Sequence, residues 1–101
     1  MLRAVQFAIL GSGSSGNATL AQYAHTTLLI DAGLSARQLL SRALQLGSDR
    51  FDGILITHEH GDHVRGLKTL LKQHDVPLYA TSATAHVLRE SGIQGRWHTF
   101  E

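Results

Sequence analysis

The run Gly53-Ile54-Leu55-Ile56-Thr57 leads directly into His58-Glu59-His60-Gly61-Asp62-His63, and this junction constrains the fold more than any other feature of the chain. A short, wholly apolar strand is of the kind buried on both faces in a parallel sheet, and parallel neighbours need crossovers, usually helical, to connect them. Loops at the carboxyl ends of such strands are where open α/β sheets carry their sites. In a locally extended loop His58 and His60 project to the same side, because side chains alternate with period two, and both can approach one cation. Asp62 and His63 lie where the next helix begins, so the turn can redirect them toward a second cation close by. Imidazole and carboxylate are ligands that suit zinc, with manganese or iron as competitors. The plainer reading makes Asp62 a helix cap and the histidines incidental surface groups. It accounts for one histidine but poorly for three histidines and an aspartate between positions 58 and 63.

The remaining pattern supplies the crossovers. Ala4 to Leu10 reads as a strand, Gly11 to Asn17 as a Gly and Ser loop, and Thr19 to Tyr23 with Thr26 to Asp31 as a hairpin turning at Ala24 and His25. Ser35 followed by Gln38 resembles a capping box, and Leu39, Leu40, Ala43 and Leu44 repeat at helical spacing until Gly47. Val64, Leu67, Leu70 and Leu71 share one helical face, which Asp75 to Pro77 ends. Leu78 to Ala80 is a strand, Ser82 to Glu90 a helix stopped by Gly92, and Arg96 to Phe100 a further strand in which the chain ends. An α/β class follows.

Composition narrows the function classes. With no cysteine, any metal must be held by histidine and carboxylate, and the cytoplasm is the expected compartment. A net charge of +1 argues for no particular partner, whereas seven histidines are unusual beside nine Lys and Arg. No apolar stretch approaches the roughly 20 residues of a membrane span. A secretory signal would use Arg3 as its charge and Ala4 to Leu10 as its apolar region, but Gln6 interrupts that region. Asn17-Ala18-Thr19 matches a glycosylation acceptor that a cytosolic chain does not use.

His58, His60, Asp62 and His63 meet in full the H-x-H-x-D-H signature of the metallo-β-lactamase-fold hydrolases, and the chain resembles that family. Leu10 to Asn17, Leu28 to Ser35 and Thr57 to His63, in that order and spacing, are similar to its YycJ/WalJ-type subgroup. The resemblance implies the N-terminal half of a four-layer αββα sandwich, with residues 1–101 a single partial domain lacking the C-terminal half. It also implies an enzyme with two divalent ions, zinc or else manganese or iron. His58 and His60 would help hold one ion, Asp62 and His63 the other, with a bridging hydroxide as nucleophile and Asp62 as the catalytic carboxylate. Asp31 would orient the ligand loop from outside the ligand set, although an ordinary turn aspartate explains it as well. The implied reaction is phosphodiester hydrolysis by a nuclease, with exonuclease action on DNA as one form it can take. Related sites open β-lactams, thioesters and lactones, and the fold alone does not choose among them.

Gly11-x-Gly13-x-x-Gly16 with Asp31 also spells a dinucleotide-binding fingerprint, a rival from another class that needs a helix after Gly16. Residues 17–27 suit a hairpin better. In the hydrolase reading Ser14, Ser15 and Asn17 are candidate phosphate-binding groups, with simple turn-making as the alternative. Arg65, Lys68 and Lys72 form a stripe that could track a nucleic-acid backbone, against the plainer reading of a solvated helix face. His25, His74, His86 and His98 are read as structural or surface residues. Four ligands for two ions leave each ion short of the three protein ligands usual for catalytic zinc. The expectation is therefore weak metal binding and no activity from these residues alone, with self-association or a complementary half covering an exposed inner face.

Overall fold

The structure is a computed structural model describing residues 4–101; Arg3 lies outside them. Six strands form one sheet in sequence order: β1 (Gln6–Gly11), β2 (Ala18–Tyr23), β3 (Thr26–Ile30), β4 (Gly53–Leu55), β5 (Leu78–Thr81) and β6 (Trp97–Phe100). β1, β2 and β3 are antiparallel neighbours, while β3 through β6 run parallel. The hairpin expected at Ala24 and His25 forms there, with Ala24 at φ 53°. Gly16 leads within two residues into β2, antiparallel to β1, so the helix that a dinucleotide fingerprint requires is replaced by a strand.

Each parallel connection carries a helix: α1 (Ala36–Gln45) between β3 and β4, α2 (Gly61–Val64) and α3 (Leu67–Gln73) between β4 and β5, and α4 (Ser82–Glu90) between β5 and β6. Successive right-handed crossovers along one direction of a sheet place their helices on one face. Accordingly Leu39 and Ala43 of α1, Leu67 and Leu70 of α3, and Ala85 and Leu88 of α4 join Leu10, Leu20, Leu29, Ile54, Leu78 and Ala80 of the strands in one core. The Ser35 and Gln38 box closes as the sequence predicts, with Gln38 N donating to Ser35 Oγ and Ser35 N to Gln38 Oε1, both at 3.2 Å.

The other face of the sheet is bare. Along the rungs of the register, Phe7 pairs with Ala21 and then Leu28, and Ile9 with Thr19, Ile30, Leu55, Tyr79 and His98. Phe7 is 67% and Ile9 74% exposed. The expectation that β4 is buried on both faces is corrected here. Ile54 and Ile56 are enclosed by the helices, but the intervening Leu55 points to the open side and is only half-buried.

Candidate metal centre

The chemistry-bearing residues gather at the carboxyl ends of β3 and β4. β3 ends at Ile30, and Asp31 turns out of it with φ 64°, a left-handed conformation uncommon outside glycine that aspartate tolerates better than most residues. Its backbone N–H still bonds Leu55 O at 2.8 Å, so the backbone remains in the ladder while the carboxylate turns to the next strand. There Thr57 N donates to Asp31 Oδ1 at 2.7 Å and Thr57 Oγ1 donates to Asp31 Oδ2 at 2.6 Å. Asp31 thus takes the place of a strand partner for the residue at which β4 leaves the sheet, and is itself only 6% exposed.

The same Oδ2 lies 2.8 Å from His63 Nδ1. With that nitrogen donating to the carboxylate, Nε2 is the ring atom left with a lone pair, and it stands 3.7 Å from Asp62 Oδ2. A carboxylate behind a histidine is the arrangement that fixes a ligating imidazole in one tautomer and orientation. His58 lies beside His63 with ring centroids 4.9 Å apart, and beside His60 at 6.1 Å. His60 is the N-cap of the one-turn helix α2, and Asp62 and His63 sit within it.

What holds this turn is a strap from the Gly and Ser loop. Asn17 N donates to Asp62 O at 2.7 Å, Ala32 N to His63 O at 2.7 Å, and Gly33 N to Asn17 O at 2.9 Å. The first two satisfy carbonyls of α2 that so short a helix leaves unpaired, and the third ties the two donor segments to each other. Asn17 Nδ2 donates to Asp62 Oδ2 at 3.1 Å and to Gly13 O at 2.9 Å. Both amide hydrogens are therefore engaged within the chain, one of them by the Asp62 carboxylate. Ser14 and Ser15 are exposed, and Ser15 O accepts from Arg65 Nη1 at 2.7 Å.

Two glycines make the weave possible. A Cβ on Gly33 would lie 1.9 Å from Asp62 O and 2.5 Å from Asn17 N, and one on Gly66 would lie 2.1 Å from Leu34 O. Gly66 N donates to Ala32 O at 2.8 Å, and around it the single helix expected through Val64 and Leu71 divides into α2 and α3. Arg65 sits in the break, so the expected basic stripe is interrupted, with Lys68 and Lys72 exposed on α3.

Glu59, between the first two histidines, accepts from Thr84 Oγ1 at 3.3 Å and so ties the loop to the start of α4. Its carboxyl is held below the ordinary value, chiefly by its own backbone N–H. His74 caps α3, His86 is exposed on α4, His25 occupies the β2–β3 turn, and His98 stacks on Tyr79 at 5.0 Å, all away from the cluster. Sequence reasoning gave no role to Thr57 and did not foresee the bond from Asn17 to Asp62. The signal available for both was their position beside the histidine block and at the end of the glycine loop.

The donor set suits a divalent ion in chemistry: three imidazoles and one carboxylate, with His63 already turned by Asp31. Among the described residues, no three such side chains converge closely enough to enclose an ion as they stand. His58 and His60 are exposed; the His58 ring is held at 3.0 Å by Thr57 Oγ1, and the His60 side chain makes no hydrogen bond among the described residues.

A family profile described as the Metallo-beta-lactamase superfamily matches residues 11–100. Exodeoxyribonuclease YycJ of Bacillus anthracis is 42% identical over 82 residues, covering 79% of this chain and 31% of that protein. Exodeoxyribonuclease WalJ of Streptococcus pneumoniae serotype 2 (strain D39 / NCTC 7466) is 37% identical over 93 residues, covering 90% of this chain and 35% of its own length. The chain therefore spans about a third of the curated relatives it matches. Among solved structures, a B3 metallo-beta-lactamase with an active-site glutamic acid is similar with a TM-score of 0.78. That match, at 23% identity over 94% of this chain and 42% of the other, is a likeness of fold.

Proposed function

Because this chain belongs to the Metallo-beta-lactamase superfamily, whose members are metal-dependent hydrolases, we propose that it is the ligand-bearing N-terminal part of a phosphodiesterase. Within that class we assign it to nucleases, and specifically to exonucleases acting on DNA. The observation that carries the reading is the hydrogen bond from His63 Nδ1 to Asp31 at 2.8 Å, which leaves Nε2 beside Asp62 at the mouth of a parallel sheet. The names of the curated relatives support the choice of substrate.

In this reading His58 and His60 contribute to one cation site and Asp62 and His63 to a second, with zinc the expected metal and manganese or iron the competitors. The chemistry such ions supply is Lewis-acid activation of water and of a phosphoryl oxygen. The chain's own residues do the rest. Asp31 holds the His63 ring, and Asn17 holds Asp62 Oδ2, so that the other carboxylate oxygen is left to accept a hydrogen bond from an attacking water. Ser14 and Ser15, exposed on the loop tied to Asp62, are the groups offered to a phosphate. Further ligands come from the rest of a larger domain, which also covers the bare face of the sheet; without it these residues self-associate and are inactive. The lack of cysteine supports a cytoplasmic setting, and no helix among the described residues is long and apolar enough to cross a membrane.

The test is metal analysis of the purified full-length protein, coupled to parallel assays on single- and double-stranded DNA, a generic aryl phosphodiester, a β-lactam and a thioester. Metal-dependent turnover of DNA, abolished in Asp62→Ala with the fold retained, is the expected result. Turnover confined to the β-lactam or the thioester overturns the phosphodiesterase reading.

A further inference from the structure

The hydroxyl of Thr57 stands among three groups and has one proton to give; one of them, His63 Nδ1, is 3.5 Å away and directs its own hydrogen to Asp31 Oδ2 at 2.8 Å. Thr57 Oγ1 is 2.6 Å from Asp31 Oδ2 and 3.0 Å from His58 Nδ1. A carboxylate has no proton of its own, and 2.6 Å is the separation of a charge-assisted O–H···O⁻ bond. The Thr57 proton therefore lies toward Asp31. What remains on Oγ1 is lone pairs, so the 3.0 Å contact with His58 is a hydrogen bond only when Nδ1 of that ring carries the hydrogen. A neutral imidazole has one N–H, and with it on Nδ1 the lone pair is on Nε2.

We propose that Thr57 is a positioning residue: oriented by Asp31, its hydroxyl fixes the proton of His58 on Nδ1 and so presents Nε2 as the donor to a cation. His63 is fixed the same way without an intermediary, since its Nδ1 is 2.8 Å from the same Asp31 oxygen. One buried carboxylate thus sets the tautomers of two rings whose centroids are 4.9 Å apart, one directly and one through a hydroxyl. His60 has no such hydrogen bond among the described residues, which makes it the adaptable member of the three. The inference gains its use from the metal reading above, on which it rests, but the proton placement itself requires no ion.

The experiment is long-range ¹H–¹⁵N correlation of the imidazoles in the metal-free protein, for the wild type, Thr57→Val and Thr57→Ser. The expected result is Nδ1–H for both His58 and His63 in the wild type. In Thr57→Val, His58 shifts to predominantly Nε2–H while His63 stays unchanged, and Thr57→Ser restores the wild-type pattern. Valine preserves the shape and the backbone bond from residue 57 to Asp31 Oδ1. Zinc titration should show a roughly 10- to 100-fold loss of affinity in Thr57→Val and little in Thr57→Ser. A wild-type His58 with its proton on Nε2 overturns the proposal whatever the variants do. So does a Thr57→Val protein that keeps the Nδ1–H form and its zinc affinity. Wild-type protein with both rings in the Nδ1–H form that binds no divalent ion would instead sink the metal reading and leave the proton assignment standing.

Discussion

Replacing Gly33 by alanine should damage the centre without touching a single functional side chain. The added Cβ would stand 1.9 Å from Asp62 O, some 1.5 Å short of the 3.4 Å at which ordinary contact begins, and both nearest neighbours are backbone atoms that cannot swing aside as a side-chain tip does. If the α2 turn retreats by that distance, the bonds from Asn17 N to Asp62 O at 2.7 Å and from Ala32 N to His63 O at 2.7 Å open. The neighbouring bond from Gly33 N to Asn17 O at 2.9 Å goes with them. At roughly 1 kcal/mol net per bond the loss is about 3 kcal/mol. If the turn does not retreat, the overlap itself costs about 1–3 kcal/mol, as overpacking does elsewhere. The two are alternatives, not a sum. For a domain of this size, about 3 kcal/mol corresponds to a fall in Tm of roughly 12–24 °C. The control is Gly61→Ala in the same loop, where a Cβ meets nothing within 4 Å; it should stay within about 0.5 kcal/mol of the wild type. Thermal melting of the three proteins by circular dichroism, followed by zinc titration, reads both effects. A Gly33→Ala protein that melts with the wild type and binds zinc equally would refute the claim that the backbone weave holds the turn.

Three further outcomes are expected. Asp31→Asn puts an amide N–H₂ or a single carbonyl where three donors now converge, and should cost about 1.5–3 kcal/mol with a metal affinity lower by roughly 10- to 100-fold; wild-type values in denaturant melts and titration would count against it. Zinc at about 100 times its Kd should raise stability by about 2.7 kcal/mol and a chelator should reverse it, so a melting temperature indifferent to both excludes the site. Glu59, whose carboxyl is depressed first by its own backbone N–H and also by the Thr84 hydroxyl, should titrate below 4.5 by NMR. Its tie to α4 is then fully present above 4.5 and lost as pH falls through the lower folded value, whereas Glu59→Gln should remove that pH dependence.

Period and punctuation made most of the elements legible. The capping box at Ser35 and Gln38, the hairpin turn at Ala24 and His25 and the helix Ser82–Glu90 all stand where spacing puts them, because each is determined by contacts within a few residues. The histidine block stood out in sequence because its chemistry is written in residue types, and the structure brings its rings together at one end of the sheet. What remained hidden depends on residues far apart in sequence. The helix that looks continuous in apolar periodicity divides at Gly66, whose N–H bonds Ala32 O instead of a helical carbonyl, and the carbonyl of Leu34 leaves no room there for a Cβ; both partners are some thirty residues away. Asn17 appears in sequence as the end of a Gly and Ser loop, and only the closure of residue 17 on residue 62 reveals its bond to the Asp62 carboxylate. Leu55 looks like any other core residue of an apolar strand; its exposure follows from helices that all fall on one side of the sheet, a property of topology that no local window carries.

The bare side of the sheet governs how any of these measurements must be made. Phe7, Ile9 and Leu28 form a continuous oily surface with no charged side chain between them in the register. Two such surfaces meeting in water attract without directional preference, so the effective behaviour of the isolated residues depends on how many copies share the tube. If the isolated residues self-associate as proposed, a melting curve or titration taken at one concentration mixes the energetics of the fold with those of sticking. Dilution series separate the two: quantities belonging to the rim at Asp31 and Asp62 stay constant as copies thin out, and those belonging to the sheet's open side do not.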